Sequence, residues 1–96
     1  MAADIRQSDR GDSIITIGTV TLIGGGACPE QYDAFVDDKM VGYFRLRHGR
    51  FTVENWPGGK LIYEANPSGD GLFEYDERIE YLTNGVVALL RELRLR

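Results

Sequence analysis

The chain has 96 residues, of which 43% are hydrophobic, 10% aromatic and 27% charged, and its net charge is −4. That length allows one domain with a single modest core and little area for a deep pocket. The aromatic content argues against disorder, the acidic balance disfavours a general DNA-coating role, and no apolar run approaches the roughly 20 residues of a membrane span.

In chain order, residues 1–12 read as a flexible polar lead-in with no apolar signal-peptide core, and a single domain is expected over 13–96. Residues 14–23, IITIGTVTLI, are β-branched nearly throughout and predict one strand, bent or bulged at Gly18. GGGACPE breaks the pattern. Strands are then expected at 31–36, 41–47, 50–55 and 60–65, separated by turns at DDKM, His48-Gly49 and WPGG. From Asp76 onward the period changes. Ile79, Leu82, Val86, Leu89, Leu90 and Leu93 fall on one face of a helix, with acidic residues at its start and arginines near its end. Gly85 costs about 1 kcal/mol relative to alanine in a helix interior and marks a possible kink. The fold class expected is α+β, an antiparallel meander of about five strands packed on a C-terminal helix.

The turns set the register. A turn at Asp38-Lys39 pairs Val36 with Val41, Ala34 with Tyr43 and Tyr32 with Arg45. A turn at His48-Gly49 pairs Leu46 with Phe51, Phe44 with Val53 and Arg45 with Thr52. Alternation then puts Phe35, Phe44, Leu46, Phe51 and Val53 on the core face. Tyr32, Ala34, Val36, Val41 and Tyr43 share the opposite face with Arg45, Arg47, Arg50 and Thr52. That face, apolar at one end and basic at the other, is the expected interaction surface, open to a partner protein or a second copy of the chain.

Three other constellations carry chemistry. NPSGDGLFEYDE (66–77) follows a calcium-loop template, with Asn66, Ser68, Asp70, Glu74 and Glu77 at ligand positions and Gly71 at the sharp turn. The same residues also read as turn chemistry leading into a helix. YFRLRHGRF (43–51) interleaves aromatic and basic residues in the manner of a nucleic-acid hairpin. The hairpin register extended backwards brings Cys28, the one cysteine, near His48, where an imidazole activates a thiol. A single cysteine allows no internal disulfide and fits a reducing, cytoplasmic setting. GGGA (24–27) lacks the Lys-Ser/Thr of a phosphate loop.

CPEQYDAF (28–35), VGYFRLRHGRF (41–51) and YEANPSGDGLFEYDE (63–77) resemble short open reading frames of bacteriophages and other mobile elements. Such proteins are uncharacterised, so the resemblance implies a small accessory protein and no catalytic residue. Many small acidic proteins of that origin bind a host or viral protein. The expectation is therefore a non-enzymatic interaction module, with calcium binding, nucleic-acid binding and Cys-His catalysis as the competing readings.

Overall fold

Each strand of the sheet turns back on the one before it. The computed structural model describes residues 3–94. It contains β1 (Ala3–Gln7), β2 (Ser13–Ile17), β3 (Val20–Gly25), β4 (Glu30–Val36), β5 (Lys39–Arg47), β6 (Arg50–Asn55), β7 (Leu61–Ala65) and α1 (Arg78–Arg94). The seven strands form one antiparallel sheet in sequence order, and α1 lies across one face of it. The α+β meander with a C-terminal helix is thus observed, with seven strands where the turns predicted about five.

Both extra strands come from the first quarter of the chain. The β-branched run 14–23 is a hairpin, not a single strand. Gly18 takes a φ of 62°, and Ile17 pairs directly with Val20 across the Gly18-Thr19 turn. The polar lead-in supplies β1, in which Ala3 to Gln7 pair with Ile17 to Ser13. Ala3 packs against the core but the other side chains are exposed, so the edge strand is held chiefly by backbone pairing.

The core lies between the sheet and α1. Leu82, Val86 and Leu89 of α1 are buried against Ile15, Leu22, Ala34, Phe44, Leu46, Phe51 and Val53. Phe51 is the hub of the aromatic packing. Its ring centroid lies 5.1 Å from Phe73, 6.0 Å from Phe44 and Tyr63, and 6.4 Å from Tyr81. The helix runs unbroken through Gly85. A Cβ there would sit 2.8 Å from a Phe44 ring carbon and 2.9 Å from a Val53 methyl. The glycine makes room for this close helix–sheet approach.

The β5–β6 hairpin has the predicted register, with Phe44 opposite Val53, Arg45 opposite Thr52 and Leu46 opposite Phe51. The β4–β5 hairpin does not. Its turn is Asp37-Asp38, both at positive φ, and the ladder slips at Ala34/Phe35, so that Ala34 faces Gly42 and Tyr32 faces Phe44. A one-residue change in pairing exchanges the two faces of a strand. Tyr32 and Ala34 therefore enter the core, with Tyr32 only 3% exposed. Phe35, expected in the core, is half-buried and pairs with Thr21 and Met40. Val41 occupies the extra position of the bulge and is 6% exposed in the core cluster, and Val36 packs against that cluster. The expected face of Tyr32, Ala34, Val36, Val41 and Tyr43 does not exist as such.

Candidate functional site

The helix covers one side of the sheet and leaves the other bare. Alternation from the buried residues defines what the bare side carries. Along the strands β2 to β6, one row runs Ile14, Ile23, Asp33, Tyr43, Glu54. A second runs Thr16, Thr21, Phe35, Met40. A third runs Gln31, Arg45, Thr52, Glu64, and Arg47 with Arg50 closes the end at the β5–β6 turn. Of the residues expected on an interaction surface, Tyr43, Arg45 and Arg47 are on this outer face, together with Arg50 and Thr52. Tyr32, Val36 and Val41 belong to the core side.

Two hollows lie along β5, besides one of about 500 Å³ lined by Thr21, Ile23 and Phe35 with Asp37 and Asp38. Arg45, Arg47, His48, Arg50 and Thr52 line a concavity of about 390 Å³. Met40, Tyr43 and Trp56, with Asp33, Glu54 and Asn55, line one of about 300 Å³. Tyr43, Arg45 and Arg47 project in succession from the same side of β5, so the two hollows adjoin along one strand. Within the basic hollow Arg50 Nε donates to the Glu64 carboxylate. Arg45 and Arg47 have no carboxylate partner among the described residues. Arg47 Nε donates to His48 Nε2 at 3.3 Å, and the Tyr43 hydroxyl donates to Gln31 Oε1 at 2.6 Å. His48 takes a φ of 53° and Gly49 one of 72°, the two-residue turn that the His-Gly pair predicts.

Cys28 and His48 share no hydrogen bond. The β4–β5 pairing stops at Glu30 opposite Leu46, and the chain at 70–71 takes the place of further ladder. The Cys28 and Glu30 amides donate to the Gly71 carbonyl at 2.7 and 2.8 Å, and the Gly49 amide donates to the Asp70 carbonyl at 2.6 Å. Cys28 is exposed, and the imidazole Nε2 is engaged by Arg47.

The 66–77 loop directs its ligand-type residues apart. Asn66, Ser68, Asp70 and Glu74 are exposed, whereas Glu77 is buried. The Ser68 amide donates to Glu77 Oε1 at 2.8 Å, and the Gly69 and Glu74 amides donate to Oε2 at 2.7 and 2.9 Å. Desolvation pushes the Glu77 carboxyl up. The amides of Glu74, Gly69 and Ser68, with the Arg78 charge, outweigh it and hold the carboxyl below its ordinary range. A cation at Glu77 would have to displace these amides. Among the described residues no group of three or more His, Cys, Asp and Glu side chains could hold a metal ion.

A buried ionic cluster escaped the sequence reading. Glu30, 1% exposed, accepts from Arg78 Nε at 2.8 Å, from Arg78 Nη2 at 3.1 Å, from the Phe73 amide at 2.8 Å and from the Tyr32 hydroxyl. The Glu30 hydrogen bond, ahead of opposing desolvation, raises the Arg78 pKa, and burial with the same carboxylate raises that of Tyr32. The cluster pins the start of α1 to the start of β4. Glu30 lies two residues before Tyr32, on a row that the expected register put on the outer face and the observed one turns to the core.

Comparisons with protein families, curated proteins and solved structures find no match for the chain. No helix among the described residues is long and apolar enough to cross a membrane.

Proposed function

We propose that this domain is a non-enzymatic interaction module that binds a protein partner through the outer face of its sheet, the accessory role implied by its likeness to phage and mobile-element reading frames. One observation carries the reading. The face left bare by α1 combines half-buried apolar residues (Ile14, Ile23, Phe35, Met40 and Tyr43) with a cluster of arginines at one end. A solvated sheet face is normally polar in alternation with the core, and apolar surface rimmed by polar groups marks contact sites. Tyrosine and arginine are also the side chains that dominate binding energy at interfaces.

The test is site-specific photocrosslinking in the native host. Tyr43→p-benzoylphenylalanine is expected to give one discrete crosslinked protein, while the same probe at Glu80, exposed on the helix, gives none. Equal products from both positions, or none from Tyr43, would overturn the reading.

A further inference from the structure

Resting on that reading, we infer that the outer face of β5 takes an extended acidic segment of a partner protein, with two carboxylates in the arginine hollow and an apolar side chain in the hollow of Met40, Tyr43 and Trp56.

The charge arithmetic sets the ligand's acidic end. The basic hollow contains Arg45, Arg47 and Arg50. Glu64 compensates Arg50, and the other two guanidinium groups have no carboxylate among the described residues. Two uncompensated charges face outward on a chain whose net charge is −4. Planar guanidinium forks suit carboxylates, which they bind through paired N–H donors. Two carboxylates therefore restore neutrality in a space of about 390 Å³.

The second hollow distinguishes a peptide from a nucleic acid. Beside Tyr43 stand Asp33 and Glu54, its two partners across the sheet. A nucleic-acid strand carries a charge on every nucleotide and would meet these carboxylates as soon as it left the arginines. A peptide is free to change character along its length. Trp56 is 49% exposed and, with Met40 and Tyr43, offers an apolar wall with an acidic rim. The spacing follows from strand geometry. Tyr43 and Arg47 are four residues apart on one strand, roughly 13 Å at the rise of an extended chain. A ligand segment laid over the face along β5 has the same rise, so an apolar residue two and four positions from two acidic ones reaches both hollows.

The experiment uses the whole protein and a fluorescein-labelled peptide of sequence Ser-Ser-Glu-Ser-Glu-Ser-Trp, read by fluorescence polarisation. Its controls are the same peptide with lysine for glutamate and a labelled octathymidine strand. The acidic peptide is expected to bind and the lysine peptide not to bind. R45A/R47A should weaken binding about tenfold or more, W56A should weaken it several-fold, and both variants should keep the wild-type circular dichroism and melting curve. Octathymidine is expected to bind less tightly than the peptide. Tighter binding of octathymidine, or peptide binding unchanged in R45A/R47A, would overturn the inference. Absence of peptide binding together with a specific Tyr43 crosslink would overturn the acidic segment while leaving the interaction face standing.

Discussion

Replacing Arg78 with methionine keeps the aliphatic stem that packs at the start of α1 and removes only the guanidinium. Glu30 then loses its two contacts from Arg78 and keeps those from the Phe73 amide and the Tyr32 hydroxyl. The carboxylate is 1% exposed, so water cannot replace what is lost. Breaking a buried pair by removing one partner costs about 3–5 kcal/mol. Against the roughly 5–15 kcal/mol that separates a small domain from its unfolded state, that is a large share. It corresponds to a fall in Tm of about 12–40 °C for a chain of this size. Glu30→Gln is milder, at about 1–3 kcal/mol, because the Arg78 side chain is 24% exposed and retains some solvation. The double variant is the decisive measurement. With no charge on either side, E30Q/R78M should be more stable than the sum of the single losses by about 2–3 kcal/mol. Urea unfolding followed by far-ultraviolet circular dichroism gives all four stabilities. Single losses that add to within about 0.5 kcal/mol would refute the view that this pair is coupled and buried.

Glu77→Gln should lower the unfolding free energy in EDTA and in millimolar calcium alike, by about 1–3 kcal/mol for the charged acceptor lost to three amides. Because the folded-state pKa of Glu77 is depressed, its stabilisation is present above the ordinary carboxylate range and is lost as pH falls through the folded value. Acid melts of the wild type should therefore fall more steeply below that range than those of E77Q, and parallel curves would contradict this. Gly85→Ala gains about 1 kcal/mol in helix propensity but forces a methyl into the Phe44 and Val53 contacts, at about 1–3 kcal/mol. A lower Tm is expected, and a rise would show that the core yields there. Val41→Glu should unfold or strongly destabilise the domain, whereas Tyr43→Glu should leave its melting curve within about 1 kcal/mol of wild type. The opposite ranking would overturn the observed β4–β5 register.

The elements that could be read in advance are those whose boundaries carry a local chemical signal. His48-Gly49 has a glycine where the backbone must turn to positive φ, and the hairpin register set by it is the observed one. The helix announces itself through the change of period after Asp76. Where such signals fail, so does the reading. Thr19 is a strand-type residue sitting in a turn, so the run from Ile14 to Ile23 conceals a hairpin. In β1 the sheet asks mainly for backbone partners, and Asp4 and Arg6 look the same in an edge strand as in a loose tail. The faces of β4 depend on a bulge of one residue at Val41, and no residue type there distinguishes a bulge from a regular pair. Of the outer face, Tyr43, Arg45 and Arg47 were legible because they follow from the β5–β6 turn. Phe35 was misplaced, and Tyr32 was taken from the core, because both depend on the neighbouring hairpin.

The 66–77 segment connects these features. Its turn residues carry the chain from β7 to α1, and its backbone is what holds the tip of the sheet. The carbonyl of Asp70 takes the Gly49 amide, and that of Gly71 takes the amides of Cys28 and Glu30. Approach this close leaves no space for a side chain at position 71, where a Cβ would lie 2.6 Å from the Cys28 sulfur and 2.7 Å from its Cα. The glycine that suits a calcium template is thus required by Cys28 in the connection between β3 and β4. Glu77, gathering the amides of Ser68, Gly69 and Glu74, fixes the loop from within. The Gly49 amide is the central link, because Gly49 lies between the arginine-bearing ends of β5 and β6. A loop ordered by its own carboxylate therefore anchors the turn that sets Arg47 and Arg50 side by side. Recognition sites gain affinity when their groups are ordered before the ligand arrives. On this view the acidic loop serves the basic hollow without touching its ligand. Glu77→Gln should then weaken binding of the acidic peptide while every arginine is still present.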